Sequence, residues 1–126
     1  MRGPEPLLVL RVVAPPVALD ALAWPGDVTH LRLAPDDLLV VGAATAAPGH
    51  GPAIIETDAG FVGWWLTLGE FVDVVAPHVE WPLPTIRPAL AQGLVAGVPA
   101  KIWLTDDRVL LLCAAAYAHE LVERLP

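Results

Sequence analysis

The chain has 126 residues, of which 56% are apolar and 17% charged, with a mean hydropathy of +0.59 and a formal net charge of −7. That balance excludes a disordered chain, and seven Lys and Arg scattered along the sequence exclude a phosphate-backbone binder, which needs clustered cations. The length predicts one domain over residues 1–126 with one main core, and so little charge leaves two readings: apolar surface covered by another chain, or a plain Ala/Val/Leu bias.

"PLLVLRVV" (6–13) predicts a first strand, rich in Val and Leu and stopped by Pro15-Pro16. The apolar start is broken by Arg11 and followed by no small-residue cleavage site, so no targeting segment is expected. No uncharged run reaches bilayer length, which predicts no membrane partner and, by default, a cytoplasmic protein. Pro16 opens a short helix, "VALDALAW", with Val17, Ala21 and Trp24 on one side, ended by Pro25-Gly26. "VTHLRL" alternates, "APDD" turns, and "LLVVG" returns, a hairpin over 28–42. "AATAAPGHGP" has the small residues, Gly and Pro of a surface loop.

The second half opens with "AIIET" and then "FVGWWLTL". Val62, Trp64, Leu66 and Leu68 make one unbroken apolar face; Phe61, Gly63, Trp65 and Thr67 make a mixed one, the period-2 mark of a strand largely covered on both sides. "GEFVDVVAPHV" predicts a short helix with Phe71, Val74 and Val75 at helical spacing, limited by Pro77. "EWPLPTIRPAL" is an extended connector. "AQGLVAGVPAKIWLTDDRVLLLC" predicts three strands with turns at Ala96-Gly97 and Asp106-Asp107. A last helix, "AAAYAHELVERL", packs through Tyr117, Leu121 and Leu125, with Glu120 and Arg124 paired on its wet side. Two acidic hairpins, each preceded by a helix, suggest β-α-β-β-type halves: an α+β fold with helices on one face of an antiparallel sheet.

Candidate chemistry is sparse. Glu56 and Asp58 share a face if they lie on a strand, and paired carboxylates can raise one pKa and supply a general acid or base; alternatively "ETDAG" is a solvated strand end. Trp65, on the mixed face, is placed for a partner or a planar ligand, or for ordinary core under a helix. The histidines, His30, His50, His78 and His119, fall in separate elements without ligand spacing, which predicts no metal. The sequence contains no serine, hence no serine nucleophile. Its single cysteine, Cys113, sits in "RVLLLCAAAYA", the setting of a buried, inert thiol.

The runs "LRLAPDDLLVVG", "ETDAGFVGWWLTLGEFVDVVAPHVEWPL" and "LAQGLVAGVPAKIWLTDDRVLLLCAAAYAHELVERL" together resemble the gamma subunit of heterotetrameric sarcosine oxidase, a family similar to the folate-binding aminomethyltransferases (glycine-cleavage T-protein). The likeness covers roughly residues 28–125 and lies in core positions and turns. It implies a ferredoxin-like arrangement and a noncatalytic accessory subunit, binding no cofactor alone, that packs on a larger oxidase subunit. FAD, FMN, NAD and tetrahydrofolate would then belong to the partner subunits. Where the family carries a short Gly-Cys segment after a basic residue, this chain has "APHVEWPLP". The folate-contacting acid of the larger relatives has its nearest counterpart in Glu56 or Asp58.

Two function classes follow. The first is the accessory subunit, meeting larger oxidase subunits or a second copy of itself through Phe61 and Trp65. The second is a stand-alone cyclase, isomerase or lyase on the same scaffold, with Glu56 or Asp58 as the acid-base and Trp65, His78 or Trp81 lining its pocket. A folate- or flavin-binding module is a third.

Overall fold

The computed structural model of the protein describes residues 1–49 and 51–126; His50, within the predicted 43–52 loop, lies outside the described residues. Contacts divide the chain into two compact units, Met1–Pro6 with Gly60–Pro126, and Leu7–Ala59. Each has its own antiparallel sheet, at least one helix and its own hydrophobic core.

In the unit of residues 7–59, with β1 reserved for Glu5–Pro6, the strands are β2 (Val9–Val13), β3 (Thr29–Ala34), β4 (Asp37–Val41) and β5 (Ile54–Asp58), in the order β3-β4-β2-β5. Helix α1 (Pro16–Asp20) lays Ala18 and Leu19 on Leu10, Val12, Leu38 and Val40. Pro16 in the first turn suits the helix start. The helix ends four residues before Trp24, where the sequence predicted it to run. Pro25 biases Trp24 away from helical backbone, and Leu22 and Trp24 reach the core from a turn instead.

The other unit contains β1, β6 (Phe61–Thr67), β7 (Ala89–Val95), β8 (Val98–Leu104) and β9 (Arg108–Ala114), in the order β1-β6-β9-β8-β7. The predicted first strand is thus split: Glu5–Pro6 pairs with β6, while Val9–Val13 joins the other sheet. Residues 68–78 are helical throughout: α2 (Leu68–Glu70), a π turn over Phe71–Val75 and a 3₁₀ turn over Ala76–His78. Phe71 and Val75, one turn apart, are both buried, and Pro77 lies in the tightened last turn. Phe71, Val75, and Leu121 and Leu125 at the end of α3 (Ala118–Arg124) cover one face of the sheet. They close over Trp64, Leu66, Val95, Ile102 and Leu111.

The architecture is therefore α+β, with antiparallel sheets carrying helices. In both units the strand before the helix pairs with the last strand of the meander that follows it, β2 with β4 and β6 with β9.

The β7–β8 turn is the one predicted, Ala96-Gly97, with φ of 49° and 79°. Both lie in the left-handed region required by a two-residue type I′ turn. In such a hairpin Val95 and Val98 form a hydrogen-bonded pair, so the next pair, Leu94–Pro99, is not hydrogen-bonded. This is why Pro99, which lacks an N–H, is tolerated inside β8.

Candidate functional site

Glu56 and Asp58 both lie on β5 and share a face, as their spacing predicts. Glu56 stands beside Arg11 across the β2–β5 pairing; its side chain is exposed, and Asp58 is half-buried. Arg11 is committed elsewhere. Its guanidinium forks onto the Asp37 carboxylate, Nε donating to Oδ1 at 2.9 Å and Nη2 to Oδ2. That hydrogen bond, with the charges of Asp37, Asp58 and Glu56 adding to it, holds the arginine pKa above its ordinary value. Neither acid lines any of the clefts described below. β5 is the outermost strand of its sheet among the described residues, and these carboxylates sit on that strand.

Phe61 and Trp65 occupy the face of β6 away from the buried Trp64, both half-buried. The Arg108 guanidinium lies 3.9 Å above the Trp65 ring, a cation–π contact of the kind arginine makes with indole. Arg2 donates to the Trp65 carbonyl and, at 2.7 Å, to Glu70. Glu70 in turn closes a capping box: Thr67 Oγ1 accepts from the Glu70 N–H, and Glu70 Oε1 accepts from the Thr67 N–H, each at 3.1 Å. The Thr67 backbone bond first, and Arg2 next, hold the Glu70 carboxyl below the usual carboxylate range. A depressed folded-state pKa stabilises the fold above the ordinary carboxylate value, and that contribution is lost as pH falls through the folded value. The parent chain should therefore melt above its Glu70→Gln variant at neutral pH, and the gap should close in acid. A gap that persists unchanged at low pH would contradict the pairing.

His78 and Trp81 come together near the outer edge of β7, in a cleft of about 350 Å³ with Pro77, Glu80 and Ala96. The contacts there are structural. The Ala96 N–H donates to the His78 carbonyl at 2.9 Å, and Trp81 Nε1 donates to the Leu94 carbonyl at 2.8 Å. The indole lies on Gly93, where a Cβ would sit 2.7 Å from Cε2 and Cζ2. The connector thus runs beside β7 and satisfies a carbonyl that the hairpin register turns outward, one way of protecting a sheet edge.

A shallower cleft of about 380 Å³ brings Phe61 together with Leu94, Pro99, Lys101, Leu112 and Tyr117. Leu94 and Tyr117 are 53% and 43% exposed. The sequence pattern placed Tyr117 on the packed side of the last helix. It lies instead in a 3₁₀ turn, Ala115–Tyr117, before α3 starts at Ala118. That shift in phase leaves Leu121 and Leu125 buried and turns the tyrosine out. Cys113 also borders this cleft but is buried, which pushes its thiol pKa up and keeps it protonated.

A cleft of about 670 Å³ in the 7–59 unit is walled by residues such as Leu22, Trp24, Val28 and Ala43, with Asp27 its one ionisable side chain among the described residues. Trp24 also stacks on His30, with ring centroids 6.5 Å apart. Among the described residues no group of three or more His, Cys, Asp or Glu side chains is arranged to hold a metal, and no helix is long and apolar enough to cross a membrane. The sequence-predicted residues thus fall in three places: Glu56 with Asp58, Phe61 with Trp65, and His78 with Trp81. No protein-family model, curated protein or solved structure matches the chain.

Proposed function

We propose that this chain is a noncatalytic accessory subunit of a heteromeric flavoenzyme of the sarcosine-oxidase type, stabilising a larger subunit by packing against it. The reading rests on the resemblance carried by residues 28–125, and one observation supports it most. Large apolar side chains stand out in both units: Ile86 is 78% exposed, Val17 66%, Val72 61% and Ile54 59%. Apolar side chains of this size mark protein–protein contact where they gather into a patch. Phe61, half-buried beside the exposed Leu94 and Tyr117, and Trp65, half-buried further along the same face of β6, are the proposed contact in the larger unit. On this reading the flavins, the dinucleotide and the folate are bound by the larger subunits.

Co-expression with sarcosine-oxidase alpha, beta and delta subunits tests it. The expected result is one complex of fixed stoichiometry that contains this chain, and that loses it on a charge substitution at the proposed contact, Phe61→Asp. Independent migration of this chain from the assembled oxidase would overturn the proposal.

A further inference from the structure

The hydrogen-bond register of the smaller unit fixes which backbone groups of β5 are unused by its sheet. The Gly42 N–H donates to the Leu8 carbonyl at 2.9 Å, and the Ala14 N–H to the Asp36 carbonyl at 3.1 Å. Even-numbered residues along β2 therefore turn their backbone groups toward β4, and odd-numbered residues turn theirs toward β5. The partners of Val9, Arg11 and Val13 on β5 are Asp58, Glu56 and Ile54, so these three bond inward. Ile55 and Thr57 direct their N–H and C=O groups outward, and no other strand among the described residues pairs there.

Three further features lie on this edge. Ile54 and Ile55 are 59% and 40% exposed. A groove of about 420 Å³ adjoins the Ile54 end, lined by Val13, Pro15, Pro16, Pro52 and Ala53 with Asp36 at its wall. Glu56 and Asp58 point to one face; Arg11 beside Glu56 makes its hydrogen bonds to Asp37, and the Glu56 side chain is exposed. The edge is thus acidic along the strand and apolar at one end.

We propose that β5 is a docking edge for an extended segment of another protein. That segment carries a basic side chain opposite Glu56 and an apolar side chain that enters the groove past Ile54. Strand addition supplies the main-chain hydrogen bonds through Ile55 and Thr57, and side chains on alternate positions supply the selectivity. Glu56, in a pair without mutual backbone bonds, stands close to the residue opposite it, where the sign of that residue's charge matters most. A second copy of this chain is the wrong occupant: two β5 edges paired about their midpoint set Glu56 against Glu56, within a chain of net charge −7. The proposal is independent of which enzyme the chain serves.

The test uses the full chain and a short labelled peptide of alternating Lys and Val ending in Leu, followed by fluorescence anisotropy. Its controls are a twin with Glu for Lys and a twin N-methylated on the bonding edge. Thr57→Pro removes the outward N–H without touching the bonds to β2, since an edge strand accepts proline on its solvent side. Binding of the Lys peptide should weaken by about tenfold or more in Thr57→Pro and with the N-methylated twin. Glu56→Lys, an exposed change that leaves the fold intact, should reverse the preference toward the Glu twin, and added salt should weaken both charged complexes. The idea is overturned by equal binding of the two charge twins, by full binding to a folded Thr57→Pro variant, by no binding of the Lys peptide, or by self-association through β5.

Discussion

Trp64→Ala is expected to destabilise the larger unit by about 3–5 kcal/mol, the cost of deleting a large aromatic from a closed core. Trp64 is 1% exposed and sits at the centre of the cluster formed by the sheet, the 68–78 helical stretch and α3. Its Nε1 also donates to the Arg2 carbonyl at 2.9 Å, tying down the segment that precedes β1. A loss of that size is a large share of the total stability of a small domain. Trp64→Phe keeps most of the packing and gives up part of the indole volume with the hydrogen bond, itself worth about 1 kcal/mol, so its loss should be clearly smaller than that of the alanine variant. Urea unfolding followed by circular dichroism measures both. An alanine variant within about 1 kcal/mol of the parent would mean that this face is not the core.

The second large effect concerns a residue with no side chain. Gly93→Ala should destabilise the protein by about 1–3 kcal/mol, the usual range for overpacking a filled site. In an ordinary strand the same change would gain up to about 1 kcal/mol, because glycine orders at the greatest entropic cost. The indole of Trp81 decides the sign. A Cβ at Gly93 meets Cε2 and Cζ2 at 2.7 Å and Nε1 at 2.9 Å, so the ring must leave and the bond to the Leu94 carbonyl goes with it. In a Trp81→Ala background the clash is gone, and Gly93→Ala should become neutral or stabilising. Unfolding free energies for the four proteins of that double-mutant cycle give the coupling directly. A coupling near zero would contradict the contact.

These two sites differ in how far the sequence announces them. Trp64 is readable: Val62, Trp64 and Leu66 alternate along β6 and period 2 is enough to assign the face, although Leu68, which the pattern placed on that face, opens α2 instead and is 42% exposed. The same local signals place the β3–β4 hairpin through its "APDD" turn and the β7–β8 turn at Ala96-Gly97. The Gly93–Trp81 contact is not readable, since a lone glycine in a strand pattern and a tryptophan among prolines carry no information about each other. The split between Pro6 and Leu7 was hidden for a related reason. "PLLVLRVV" is one run by composition, and only long-range pairing assigns Glu5–Pro6 to Gly63 and Val62, and Val9 to Val41 and Asp58. Tyr117 was misplaced because helical periodicity was extended through a 3₁₀ turn, which advances the chain by a different angle per residue.

Of the candidate site, the same-face geometry of Glu56 and Asp58 was legible from their spacing, because strand alternation is local. Their position on an outer edge was not, since edge or centre is a property of the whole sheet. Trp65 was singled out as facing away from Trp64, which holds. The arginine over its ring comes from β9, more than forty positions along the chain, at Arg108.

Hydrogen exchange on this chain, alone and assembled with the larger oxidase subunits, tests most directly whether it works by being covered. The account predicts that amides along β6 gain protection in the assembly, while the core amides of β9 stay as slow as before. Identical exchange in both samples, together with turnover by the isolated chain that Asp58→Asn abolishes, would contradict it.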